Sequence, residues 1–184
     1  NDNKTIFYVK IDPQTLRSFQ IYRHVLGTKQ NADVLVFEES DEKFNVSISK
    51  SMNKQFLIIN SQSTTTTEEL LIDANNPAEK PKIFLKRSQG HLYGVDVHND
   101  GFYILSNDNA PNKKLLFCSK IPINLSECKE IIAHSKETLL ENILVLDKYL
   151  VIQERSIGLL KLKTIDLTTK KVAYIKIDEE TYYL

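Results

Sequence analysis

Apolar residues in this chain come in short runs, each carrying a leading aromatic and usually closed by a polar residue. Four of them read Ile6-Phe7-Tyr8-Val9-Lys10, Phe56-Leu57-Ile58-Ile59-Asn60, Phe102-Tyr103-Ile104-Leu105-Ser106 and Tyr149-Leu150-Val151-Ile152-Gln153. Phe7, Phe56, Phe102 and Tyr149 stand 49, 46 and 47 residues apart. Compact runs of aromatic and β-branched residues predict strands. Their recurrence at a nearly constant interval predicts a repeat array.

The flanks of the runs recur as well. Residues 44–48, 92–97 and 143–146 predict a strand upstream, followed by the turns Met52-Asn53-Lys54, His98-Asn99-Asp100-Gly101 and Asp147-Lys148. Residues 69–72, 114–117 and 159–164 predict a third strand, and 82–85, 130–133 and 172–177 a fourth. Asn, Asp and Gly turns join short strands in hairpins, and connections this short leave no room for crossover helices, so the pairing is antiparallel. One segment is ambiguous: Leu139, Leu140, Ile143, Leu144 and Leu146 fit an amphipathic helix, but the repeat predicts a strand from about Asn142.

A four-stranded blade cannot cover both of its apolar faces alone, so neighbours stack. The expected fold class is all-β, a fragment of a β-propeller built from four-stranded antiparallel blades. Three complete blades are expected at about 41–88, 89–134 and 139–178. Residues 5–40 supply three strands of an incomplete one, so the array is expected to extend beyond the N-terminal end as part of a longer ring.

Lys and Arg number 24 and Asp and Glu 24, so no bulk charge favours nucleic acid or an anionic membrane. No apolar run approaches the roughly 20 residues of a membrane-spanning helix, and no signal-peptide core follows Asn1-Asp2-Asn3-Lys4, although a fragment leaves a lost leader open. Cys118 and Cys128 are ten apart, across the connection between third and fourth strands of one blade. A bridge is conceivable there, but free thiols of a reducing cytosol are the expectation. His24, His91, His98 and His134 lack metal-ligand spacing, so no metal or cofactor is expected. The sequons Asn45-Val46-Ser47 and Asn124-Leu125-Ser126 matter only in a secreted protein.

Catalytic motifs are missing. Gly90-His91-Leu92-Tyr93-Gly94 has the spacing of a nucleophile elbow with leucine where the serine belongs. Acidic clusters at Asp41-Glu42, Glu68-Glu69 and Asp178-Glu179-Glu180 are expected to be solvated turns or strand edges. The stretch 61–69 with its four threonines is expected to be a hairpin.

The run Ile21-Tyr22-Arg23-His24-Val25-Leu26-Gly27-Thr28 closely resembles the propeller domain of the oligopeptidase B branch of the prolyl oligopeptidase family. So do Asp33-Val34-Leu35-Val36-Phe37-Glu38-Glu39, Leu71-Ile72-Asp73-Ala74 and Val151-Ile152-Gln153-Glu154-Arg155 with Gly158-Leu159. The resemblance covers nearly the whole chain. It implies a seven-bladed propeller capping an α/β-hydrolase domain whose Ser, Asp and His triad lies outside these residues. It also implies a cytoplasmic serine peptidase that cleaves short peptides after Lys or Arg, with the propeller restricting entry to the cavity. The partners implied are the hydrolase domain of the same polypeptide and short basic peptides.

By position in the repeat, the candidate contacts to peptide or hydrolase are Arg87 at the end of a fourth strand, Asn107 just past a second strand, and Glu154 with Arg155 in the next blade. Adjacent strand residues face opposite ways, so one of the last two can hold the blade while the other projects. For each, the blander reading is a turn hydrogen bond or a surface ion pair. Two other functions stay open: a self-standing propeller or sandwich that binds a partner, and a glycosidase- or sialidase-like propeller, which would need carboxylates and arginines in one central pocket. Exposed blade faces would also let the isolated chain self-associate.

Overall fold

The computed structural model describes residues 2–179. The chain divides into two compact units, Asn1–His91 and Leu92–Leu184. Glu180 of the third acidic cluster lies outside the described residues.

In the first unit, β1 (Thr5–Ile11), β2 (Ser18–Val25) and β3 (Val34–Glu38) form a three-stranded sheet in chain order. A four-stranded sheet follows, again in chain order: β4 (Asn45–Lys50), β5 (Phe56–Gln62), β6 (Thr67–Asp73) and β7 (Lys82–Leu85). All pairs are antiparallel. The two-residue side-chain period turns Phe7, Val9 and Ile21 of one sheet and Val46, Ile59, Leu70 and Ile72 of the other into one shared core. Ile59 is fully buried opposite Ile48 and Leu70. Each such aliphatic side chain contributes about 1.5–3 kcal/mol.

The second unit repeats the design. One sheet holds β8 (Tyr93–His98), β9 (Gly101–Ser106), β10 (Lys114–Cys118) and β11 (Lys129–Ile132); the other holds β12 (Thr138–Val145), β13 (Tyr149–Ser156), β14 (Leu159–Asp166) and β15 (Val172–Tyr174). Tyr103, Leu105 and Leu115 pack with Leu140, Val145, Leu150 and Ile152 in a single core. The expectation of an all-β chain of antiparallel blades is met.

Four local expectations need correcting. The strand expected from Asn142 starts at Thr138, and a bulge sits inside it: Leu140 pairs with Glu154 and Asn142 with Gln153, leaving Glu141 as the extra residue. That insertion breaks the period-two alternation, which is why the apolar positions imitate a helix. The polar stretch 61–69 is mostly strand, with the hairpin reduced to residues 63–66 and closed by Ser63 N–H donating to the Thr66 carbonyl at 2.9 Å. Glu68 and Glu69 are consequently buried in β6 rather than solvated.

The cysteines are bridged. Cys118 ends β10 and Cys128 precedes β11, and the register that sets Phe117 opposite Lys129 brings their Cα atoms to 4.7 Å, within disulfide reach. Phe102 pairs with Cys118, and Gly101 precedes it at φ +153°, where a Cβ would lie 2.3 Å from the Cys118 carbonyl oxygen. Only glycine fits so close an approach.

Candidate functional site

Arg87 lies two residues past β7 in the first unit. Its Nη2 donates to Glu39 Oε2 at 2.6 Å and to Glu68 Oε2 at 3.2 Å, and its guanidinium sits 4.3 Å above the Phe44 ring. Its own main-chain N–H donates to Glu68 Oε1 at 2.9 Å. Glu39 is 4% exposed and also accepts from the Ser61 hydroxyl at 2.6 Å and from the Asp41 N–H at 2.9 Å. Burial works to raise the Glu39 carboxyl, but Arg87, Ser61 and the Asp41 N–H outweigh it and hold the group below the usual carboxylate range. Burial likewise works against the Arg87 cation and is outweighed by the two glutamates.

A second arginine completes this assembly. Arg17 Nη1 donates to the carbonyls of Asp41 and Phe44 at 3.0 and 2.9 Å, and Nη2 to that of Glu39 at 3.1 Å. The passage from the three-stranded to the four-stranded sheet is therefore held on its main chain by Arg17 and through the Glu39 side chain by Arg87.

Asn107 in the second unit holds a strand entry. Its Oδ1 accepts the Leu92 N–H at 2.8 Å while its own N–H donates to the Leu92 carbonyl at 3.1 Å. Its carbonyl accepts from Ala110, closing the turn after β9.

Glu154 and Arg155 are neighbours in β13 and face opposite sides of the sheet. Glu154 is 4% exposed, accepts from the Tyr174 hydroxyl at 3.0 Å and pairs with Lys163 Nζ at 3.5 Å. Arg155 projects, with 43% of its side chain exposed. Its Nε and Nη2 meet the two carboxylate oxygens of Glu141 at 2.6 and 3.5 Å, and its Nη1 donates to the Gly158 carbonyl at 3.0 Å. Arg155 in the first place, with Gln153 behind it, keeps the Glu141 carboxyl below its usual range. The bulge at Glu141 thus supplies the counter-charge that fixes the projecting guanidinium.

The structure places Arg87 in the first unit and the other three candidates in the second. Sequence reasoning missed Glu39, Ser61 and Glu68 around Arg87 and Glu141 beside Arg155. The available signal for Glu68 was its place inside a run of strand-forming residues ending in Leu70-Leu71-Ile72. Among the described residues, no group of three or more His, Cys, Asp and Glu is arranged to hold a metal ion, and no helix is long and apolar enough to cross a membrane. Leu159, Leu160, Tyr174 and Ile175, with the charged Lys161 and Lys176, line an open groove of about 430 Å³ on the last sheet.

Comparison with known proteins places this geometry. The family described as prolyl oligopeptidase, N-terminal β-propeller domain, matches residues 1–183. Dipeptidyl aminopeptidase BI of Pseudoxanthomonas mexicana is 32% identical over 99% of the chain and 25% of its own length. Protease 2 of Moraxella lacunata is 36% identical over 84% of the chain and 22% of its own length. Among solved structures, oligopeptidase B from Leishmania major superimposes on 97% of the chain with a TM-score of 0.89 at 30% identity, and that from Trypanosoma brucei, in a closed form with covalently bound antipain, does so with the same TM-score at 25% identity. In each case the chain spans about a quarter of the relative's length. The sheets are blades of a β-propeller fragment, and the chain belongs to the prolyl oligopeptidase family as part of its N-terminal propeller domain.

Proposed function

We propose that these blades are the non-catalytic access filter of an oligopeptidase B-like serine peptidase, in which a separate α/β-hydrolase domain of the same polypeptide cleaves short peptides after Lys or Arg. The observation that carries this reading is the match to the family's propeller domain over residues 1–183, together with relatives that are peptidases by name. A propeller over a hydrolase makes an enclosed cavity that admits flexible peptides, rejects folded chains and keeps bulk water from the chemistry. In this arrangement Arg155, preset by Glu141, and the partly exposed edge of Arg87 are the contacts to the hydrolase or to a peptide. Asn107 and Glu154 hold the strands that carry such contacts. The blades at about 5–40, 41–88, 89–134 and 139–178 are then consecutive members of a seven-bladed ring, and the mixed polar and apolar groove at Leu159 and Tyr174 takes the next blade or, in the isolated chain, a second copy.

The family reading puts the protein in the cytoplasm. The Cys118–Cys128 bridge favours an oxidising compartment instead, because cytosolic thiols are kept reduced. Alkylation of thiols in intact cells before lysis distinguishes the two.

The test uses the full-length protein with fluorogenic peptides of increasing length ending in Lys, Arg or Pro, and a folded protein carrying the same sites. Cleavage after Lys and Arg that falls off with size supports the reading. Equal cleavage of the folded protein, or preference for Pro, overturns it. A reading frame with no hydrolase domain would favour a self-standing propeller that binds a partner.

A further inference from the structure

His98 closes β8, and both of its ring nitrogens face acceptors. Nδ1 lies 2.5 Å from Asp100 Oδ1 in the same hairpin, and Nε2 lies 3.1 Å from the main-chain oxygen of Asp147, 49 residues away in the turn between β12 and β13. The side chain is 14% exposed and meets Tyr103 edge-on, with ring centroids 6.3 Å apart. A neutral imidazole carries one N–H and can serve only one of these acceptors, whereas the imidazolium serves both.

The carboxylate is the stronger acceptor, so the last proton stays on Nδ1. The Asp100 N–H, 3.4 Å from Nδ1, is a poorer partner for that nitrogen. Deprotonation therefore leaves the bare Nε2 lone pair facing the Asp147 carbonyl. What is lost is this one of the ties between the two sheets, not the local hydrogen bond to Asp100.

We propose that His98 is a proton-operated clasp between neighbouring blades, fastening the β8–β9 hairpin to the β12–β13 turn as the imidazolium and releasing it as the neutral ring. The groups facing it are Asp100 from its own hairpin, Asp96 from β8, Tyr103 from β9, and Asp147 from the β12–β13 turn. Burial works to lower the ring's affinity for its proton, but Asp100 and the Asp147 carbonyl outweigh it and raise the group above its ordinary 6.5. Burial pushes Tyr103 up to about 12, so it stays neutral throughout. Asp96 forms a second tie across the same seam, its Oδ2 accepting the Val145 N–H at 2.6 Å, and burial raises its pKa above the ordinary carboxylate value.

The sign follows. With a folded value above the unfolded one, the clasp is fully present below about pH 6.5 and is lost as pH rises through the raised folded value.

Hydrogen exchange on the full-length protein, corrected for intrinsic rates, tests this between pH 5.5 and 8.5. Protection around residues 98–101 and 146–149 is expected to fall about tenfold across that range as the proton leaves the ring. His98→Gln, which keeps a non-titrating donor near Nε2, is expected to show no such fall. Equal falls in the two proteins, or flat protection in the wild type, overturn the proposal. If His98→Gln does not fold, the ring titration of ¹³C-labelled histidine decides: a midpoint above 6.5 that drops in Asp100→Asn supports the clasp, and a midpoint at or below 6.5 ends it.

Discussion

The Arg87 guanidinium and the Glu39 carboxylate meet at 2.6 Å although 48 residues separate them, and they tie the connection after the first sheet to the far edge of the second. Removing the cation strands Glu39 and Glu68, both nearly buried, without their shared partner. Loss of one member of a buried charge network costs more than the network contributes, because the remaining charge is uncompensated. Arg87→Ala is expected to destabilise the chain by about 3 kcal/mol, the low end for a buried pair because 31% of the arginine side chain is exposed. Arg87→Lys is expected to recover only part of this, since an ammonium lacks the planar fork and the stacking on Phe44. Urea denaturation of the three proteins reads the difference.

The same pair sets a limit on the acid side. The Glu39 carboxyl is held below its ordinary 4.5, so its contribution is present above that value and is lost as pH falls through the depressed folded one. Glu39→Gln is expected to flatten the fall in melting temperature below about pH 4.5. An unchanged acid profile would show that other carboxylates carry it.

Arg155 is expected to behave differently from Arg87. Its pair with Glu141 is largely solvated, and exposed pairs contribute about 0–1 kcal/mol. If the proposed function holds, Arg155→Ala leaves the melting temperature nearly unchanged while altering the peptide-length selectivity of the full-length protein. Unaltered turnover and selectivity would remove Arg155 from the contact surface.

Gly101→Ala forces a Cβ to within 2.3 Å of the Cys118 carbonyl oxygen at a φ that L-residues avoid. The cost is expected to be about 2 kcal/mol or more, read as a lowered denaturation midpoint. The backbone there belongs to the β9–β10 ladder, so relief requires breaking sheet pairing.

The disulfide closes the short connection between β10 and β11, whose ladder outside the loop has only three pairs. Cross-linking across ten residues is worth about 2–3 kcal/mol in the chain-entropy account. Cys118→Ser with Cys128→Ser is expected to lose that amount, and the unreduced, denatured wild type is expected to show no reactive thiol in a dithionitrobenzoate assay.

The repeat is legible in the sequence because a blade is specified locally. Aromatic and β-branched runs such as Phe102-Tyr103-Ile104-Leu105 and hairpin turns such as Asn99-Asp100 act between neighbours in sequence, so strand order and antiparallel pairing follow from the chain alone. The bulge at Glu141 was hidden for the converse reason: one inserted residue shifts the alternation, and a shifted strand looks like a helix until its partner strand is seen. Tertiary structure alone decided which charges are buried. Glu39, Glu68 and Arg87 are ordinary taken singly, and only the stacking of sheets removes them from water and makes each depend on the others. It also decided that Cys118 faces Cys128 and that His98 reaches Asp147, because both depend on ladder register and sheet spacing rather than on the residues beside them.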